Sequence, residues 1–400
     1  MTVAALEVRR IRSDEEAVEV ARAYADSIAP GAIERDRESL VPIEELERLG
    51  ATGLLALGVP AERGGAAAKV ETIVEVFRLI SAADPAIGQI PQNHFQLVDA
   101  IVRYGDVVQK ELLLGDVVRG ARFGNAWSER GGKHPMDLRT VLHSDGGEGY
   151  FLSGRKYYST GAVTAQWVPV IAKDEDGRIA FVYLPRDAEG LEVIQDWTAF
   201  GQRATISGTT VLEDVAVRPE WVLFFPEREE ADTFASFAQV LHAAVDVGIA
   251  RGALEEAARH LRDRARPFFE ADLERAADEP YAVADFGRLQ VQVRAAEALL
   301  AEAGRALDRA AAAPDDQAVV TRARLAVTEA RACGAEAALR VSSEALDALG
   351  SSAADAQFGL DRHWRNARTH TLHDPTRWKH VHLGRWIVDG IVPGPNNYLI

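Results

Sequence analysis

The sequence predicts an α+β protein in three parts: a helical opening segment, a central antiparallel β domain and a closing four-helix bundle. Two changes of texture carry this reading. Up to about residue 119 and again from residue 226, apolar residues recur at helical spacing. Between them, over residues 120–225, short runs rich in β-branched and aromatic residues are broken by turn signals. The boundaries drawn from these changes are 1–119, 120–225 and 226–400.

In order, Ser13 followed by three acidic residues reads as a capped helix start, and the pattern closes at Pro30. Helical periodicity returns at 43–49, 70–83 and 96–104, separated by Gly-rich breaks. Gln92, Asn93 and His94 follow Pro91, which places a polar cluster at a helix entrance. On its residues alone His94 reads as a buried, hydrogen-bonded histidine. Alternation at 150–158, a DEDG turn between runs at 167–172 and 179–184, and the string TTVLEDVAV give the strands. Long Ala-rich patterns at 234–261, 282–307, 318–349 and 376–388 give the bundle.

Composition removes several function classes. A net charge of -16 without an extended basic stripe argues against nucleic acid as a partner. No apolar run approaches the roughly twenty residues a membrane helix needs, and the N-terminus lacks a signal-peptide core, so a cytoplasmic protein is expected. The single cysteine, Cys333, excludes an internal disulfide and sits in an Ala-rich run as a small packed residue. Nothing in the sequence suggests a metal site.

One window inverts this acidic character. Residues 361–380, DRHWRNARTHTLHDPTRWKH, hold four of the ten histidines, four arginines, a lysine and two tryptophans. Such a window suits an anionic or aromatic ligand and protons that must move. A spacing of three puts His370 and His373 on one helical face. Pro375 stops that helix, and Asp374 before it reads as the N-cap of the next.

The order of parts, together with local strings, resembles the acyl-CoA dehydrogenase superfamily over essentially the whole chain. AWSER at 126–130 is similar to the segment whose hydroxyl residue bonds the flavin ring, which implies that role for Ser128. KYYSTG at 156–161 is similar to the segment at the flavin N5 edge, implying Ser159 there. FGQRATISGTTVLEDVAV from Phe200 resembles the end of the β domain, and HLRDRARPF resembles the segment whose arginine, here Arg264, reaches flavin phosphate across a subunit interface. The resemblance also implies Gly350 and Arg365 as flavin contacts and a homotetramer.

Departures from the pattern point to a branch. Where the dehydrogenases carry a catalytic Glu, this chain reads Leu372, His373, Asp374, Pro375, Thr376. The paired-Gly segment at the adenylate of FAD reads ALGSSA, with Ser351 in place of the second Gly, so FMN is the better-suited flavin and FAD the alternative. These features, with IPQNHF, RFGNA, VLHAA and RNARTHTLHDPTRWK, resemble the reduced-flavin monooxygenases of dibenzothiophene and of sulfur acquisition. That resemblance implies that His94, Asn125, Ser159, His370 and His373 line one pocket. His373, supported by His370, is then expected to donate to a flavin hydroperoxide, since a carboxylate there would repel a peroxyanion. No Gly-x-Gly-x-x-Gly follows a strand, so reduced flavin is expected from a separate reductase, with dioxygen and a small organosulfur compound as substrates. The competing expectations are an acyl-CoA dehydrogenase holding FAD with Asp374 as base, and a flavin-free scaffold.

Overall fold

The computed structural model describes residues 7–134, 137–226 and 230–394. The chain opens with helices α1 (Asp14–Ile28), α2 (Ala32–Glu38), α3 (Ile43–Ala51), α4 (Val70–Ala83), α5 (Pro85–Gln89) and α6 (Gln92–Tyr104). Short turns α7 (Val107–Gln109) and α8 (Gly115–Val118), with a π-helical stretch between them, lead into the sheet. Ser13 caps α1 as expected, its hydroxyl accepting from the Glu16 amide. Helix α6 starts at Gln92, one turn earlier than its apolar periodicity suggests, so the Gln92 to His94 cluster forms its first turn.

Seven strands follow among the described residues: β1 (Val141–Ser144), β2 (Tyr150–Lys156), β3 (Trp167–Asp174), β4 (Ile179–Pro185), β5 (Leu191–Ile194), β6 (Thr209–Val217) and β7 (Val222–Phe224). Their order is β5-β6-β2-β1-β3-β4-β7. All pairs are antiparallel except β1 with β3, which run parallel. The expected all-antiparallel sheet is corrected at that one pairing. Strands β1, β5 and β7 have only three or four residues, too few to show an alternation in sequence.

Helices α9 (Phe234–Asp263), α10 (Pro280–Ala312), α11 (Gln317–Asp347), α12 (Asp361–Thr371) and α13 (Thr376–Asp389) complete the chain. One apolar core runs through the opening segment and the bundle together, joining Ile73, Val76 and Phe77 of α4 to Val240, Leu241 and Val245 of α9. Close approach explains two glycines on α9. A Cβ at Gly248 would lie 2.6 Å from the Arg78 carbonyl oxygen, and one at Gly252 would lie 2.2 Å from that of Ala82. In a single chain α13 buries only Lys379 and leaves Ile387 and Val388 exposed, so α4 rather than α13 fills the fourth side of α9, α10 and α11. A second core packs α6 against β3 and β4, and a third fills the inside of the curled sheet. No helix among the described residues is long and apolar enough to cross a membrane.

Candidate active site

The site is built from two neighbouring regions. The first is a neutral shelf on the rim of the sheet. Residues 123–126 run beside β3 through bridges from Phe123 to Trp167 and from Ala126 to Val170, which fixes Asn125 between them. Asn125 Nδ2 donates to the Tyr158 carbonyl at 3.2 Å, and the Tyr157 amide donates to the Ser128 carbonyl at 2.8 Å. The strings around Ser128 and Ser159 are therefore laid side by side, though they are far apart in sequence. Tyr158 has φ +62°, a left-handed backbone that costs a non-glycine residue energy and turns the chain so that Ser159 faces inward.

Ser159 is fully buried and accepts from Thr210 Oγ1 at 2.8 Å, which leaves its own hydroxyl proton free to donate. Beside it, Thr160, Ser207 and Thr205 form a chain of hydroxyl contacts at 2.7 Å each. Thr205 then donates to the Gln202 carbonyl, and the Gln202 amide donates to Asn366 Oδ1 on α12 at 2.6 Å. Gln202 is buried, and neither side-chain amide atom has a partner among the described residues. Glu129 accepts from Lys156 Nζ at 2.8 Å and from the Thr140 hydroxyl, pinning both strings to the sheet. Burial brings the Lys156 ammonium down to about 8 despite this pairing.

The second region is dense in charge. His370 on α12 is sealed from solvent, with Nδ1 donating to Asp246 Oδ1 of α9 at 2.6 Å and Nε2 lying 3.1 Å from His242 Nδ1. His242 in turn packs at a tilt against His373, ring centroids 4.2 Å apart. Arg331 of α11 bridges two buried carboxylates, pairing with Asp246 and, at 3.0 Å, with Asp374. Lys379 Nζ is 2.8 Å from the other oxygen of Asp374 and donates to Gln239. Burial would raise the Asp374 carboxyl, but Arg331, His373 and Lys379 outweigh it and hold it well below the usual carboxylate range. Burial, and then the neighbouring His373, His370 and Arg331, push His242 well below the ordinary imidazole value.

Several expectations change here. Asp374 caps nothing: Pro375 is the N-cap of α13, without a side-chain bond, and the Asp374 carboxylate is spent on two buried cations. His370 and His373 do not share a helical face, because α12 ends at Thr371 and His373 lies in the turn beyond it; they meet only through His242, while Asn125, Ser128 and Ser159 come together on the shelf. Asn366 on α12 links the regions, one helical turn before His370.

His94 stands apart from both. It is fully buried, Nε2 donating to the Leu55 carbonyl at 2.9 Å and Nδ1 accepting from the Phe123 amide at 3.1 Å. It thus ties the opening segment to the strand that carries Asn125 and has no ring nitrogen left for a ligand. Arg365 is likewise taken up, by Asp36, Asp361 and the Phe200 carbonyl. Arg264 remains exposed at the end of α9, its guanidinium 5.9 Å from the Phe358 ring centroid. Gly350 has φ +67°, a conformation that favours glycine, and no atom of the described residues lies within 4 Å of a Cβ built there.

Sequence reasoning missed His242, Asp246, Arg331 and Lys379. The string VLHAA held His242 without a role for it. A usable signal was present: Asp246 interrupts a long apolar run on α9, where a charge is costly unless paired. The shelf fits the hydrogen-bonding edge of a flavin, because Ser159 keeps a free donor beside Ser128 and Asn125.

The chain matches the acyl-CoA dehydrogenase N-terminal domain over residues 13–121, the middle domain over 125–215 and the C-terminal domain over 240–378. It is 34% identical to a dibenzothiophene monooxygenase of Mycolicibacterium goodii, covering 94% of this chain and 95% of that one. It is 30% identical to the probable FMNH2-dependent monooxygenase SfnC of Pseudomonas putida, covering 96% and 97%. The crystal structure of TdsC from Paenibacillus sp. A11-2 with FMN and indole superposes with a TM-score of 0.88 at 30% identity, covering 96% and 99%. The chain belongs to the acyl-CoA dehydrogenase family, in its monooxygenase branch.

Proposed function

We propose that this member of the acyl-CoA dehydrogenase family is a monooxygenase that uses reduced FMN and dioxygen to oxygenate a small organosulfur compound in sulfur acquisition. The observation that carries the reading is the state of Asp374. A dehydrogenase base must be free to take an α-proton from an acyl thioester. Here the only carboxylate in that register is buried, ionised and clamped between Arg331 and Lys379, while three histidines stand beside it. The named relatives support the same class of reaction, with FMN as its flavin.

Within this reading Ser159, Ser128 and Asn125 hold the flavin edge, reduced FMN supplies the electrons and the site for dioxygen, and His373 with His370 provides the protons. His373, whose side chain is half exposed, is the histidine of the three that solvent and substrate reach. A separate reductase supplies the reduced flavin, and a cytosolic location fits that supply. We assign a homotetramer. The exposed apolar side chains of Phe269, Tyr281, Val291, Ile387 and Val388 support burial against further copies, and Arg264 is the residue offered to a neighbour's flavin phosphate. Light scattering should give four chains per particle, and a monomer at micromolar concentration contradicts the assembly.

The deciding experiment is anaerobic titration with reduced FMN, then addition of oxygen with dibenzothiophene or methanesulfinate as probe. Oxygenated product should form in proportion to reduced FMN. Reduction of a tightly held FAD by an acyl thioester, with no oxygenated product, overturns the reading.

A further inference from the structure

The mechanism just proposed leaves two buried groups without a role: His242 and Asp246. We propose that Asp246, His370 and His242 form a proton-holding relay, in which Asp246 is a positioning residue acting through His370 and His242 Nε2 is the end that takes and returns the proton. This rests on the monooxygenase reading for its chemistry but not for its geometry.

The geometry fixes where the protons sit. An ionised Asp246 accepts only, so the 2.6 Å contact places a proton on His370 Nδ1. His370 Nε2 and His242 Nδ1, 3.1 Å apart, then share one proton between two nitrogens. With that proton on His242, both rings are neutral and His242 Nε2 carries a lone pair. No other hydrogen-bond partner is found for His242 among the described residues. A proton arriving at His242 Nε2 lets the Nδ1 proton pass to His370 Nε2. His370 becomes doubly protonated against Asp246, and the return reverses both moves, so no proton is lost from the chain.

The surrounding charges set the resting state. Facing the relay are Asp246 on α9, Arg331 on α11, and His373, Asp374 and Lys379 from the end of α12 to α13. The charges of the two carboxylates and of Arg331 and Lys379 cancel. An added proton is therefore a net charge in a buried site and is stabilised chiefly by Asp246, which favours a loan over permanent storage. Arg331, paired with Asp246, holds that carboxylate aimed at His370. His373, packed at a tilt against His242 and half exposed, lies between the relay and solvent.

The test begins with flavin-free protein labelled with nitrogen-15 in histidine. Long-range proton–nitrogen spectra should show His370 protonated at Nδ1 and His242 neutral near pH 7, and Asp246→Asn should shift the tautomer signals of both. His370 found without a proton on Nδ1, or a His242 signal indifferent to Asp246→Asn, overturns the relay. The parent spectrum alone decides the first point should the variant fail to fold. In oxygenation of dibenzothiophene with reduced FMN, Asp246→Asn should lower kcat tenfold or more, keep KM within about twofold and displace the pH profile of kcat. An unchanged pH profile with proportionate loss of active protein would mean a merely structural Asp246 and overturn the proposal. Absence of oxygenation in the parent protein counts against the reaction, while the spectra still decide the relay.

Discussion

His94 and His370 are buried to the same extent, yet their partners make them different kinds of residue. His94 bonds main chain on both sides, a carbonyl at Leu55 and an amide at Phe123, so its one tautomer is fixed and it can neither gain nor lose a proton without breaking a bond. His370 bonds a carboxylate and a second imidazole, and either ring of the pair can hold the shared proton. Burial alone therefore does not mark a catalytic histidine; the titratability of its partners does. The same contrast separates the neutral hydroxyl shelf around Ser159, which positions, from the charged cluster around Asp246, which can move protons.

The most severe way to break this contrast is at Arg331. Arg331→Met removes the cation shared by two buried carboxylates, leaving Asp246 with His370 and Asp374 with Lys379, and should cost about 3–5 kcal/mol of stability. Urea unfolding at pH 7 measures it, and a loss under 1 kcal/mol would mean that water already solvates the cluster. Asp374→Asn should be nearly as damaging, since it removes an anion between two buried cations rather than a helix cap.

Activity separates the histidines next. His373→Ala should leave folding almost intact and lower oxygenation about a hundredfold, the usual scale for losing one well-placed donor, while reduced FMN is diverted to hydrogen peroxide. Product and peroxide per FMN oxidised report the split. Unchanged coupling would return His373 to the surface.

His94 supplies the opposite signature. Burial depresses its imidazole to about 4, against a Leu55 carbonyl that favours the proton. The unfolded chain therefore binds more protons than the folded one between pH 6.5 and 4. Stability from neutral His94 is complete above 6.5 and falls as acid is added, by about 3 kcal/mol once pH passes below 4. His94→Leu should lose roughly 1–3 kcal/mol for each main-chain group left unpaired, and should erase that acid slope. Unfolding free energy measured from pH 7 to 4 shows both. Smallest of all, Arg264→Ala should change stability by less than about 0.5 kcal/mol yet weaken FMN binding in the assembled protein. A flavin fluorescence titration that gives the parent affinity removes Arg264 from the site.

Sequence by itself determined the run of helix, sheet and helix, most of the long elements and the family, because periodicity and turn residues are local properties of the chain. It also brought the strings of Ser128 and Ser159 under suspicion through resemblance. The cap reading of Asp374 failed because an Asp-Pro pair has the same local form whether the carboxylate serves its own helix or a distant arginine. Asp246 and Arg331 lie 85 positions apart and Arg331 and Asp374 lie 43 apart. Only the packing of α9 against α11, with α12 and α13 laid across them, brings these charges into one dry space. There, the distance between partners sets both their ionisation and their use.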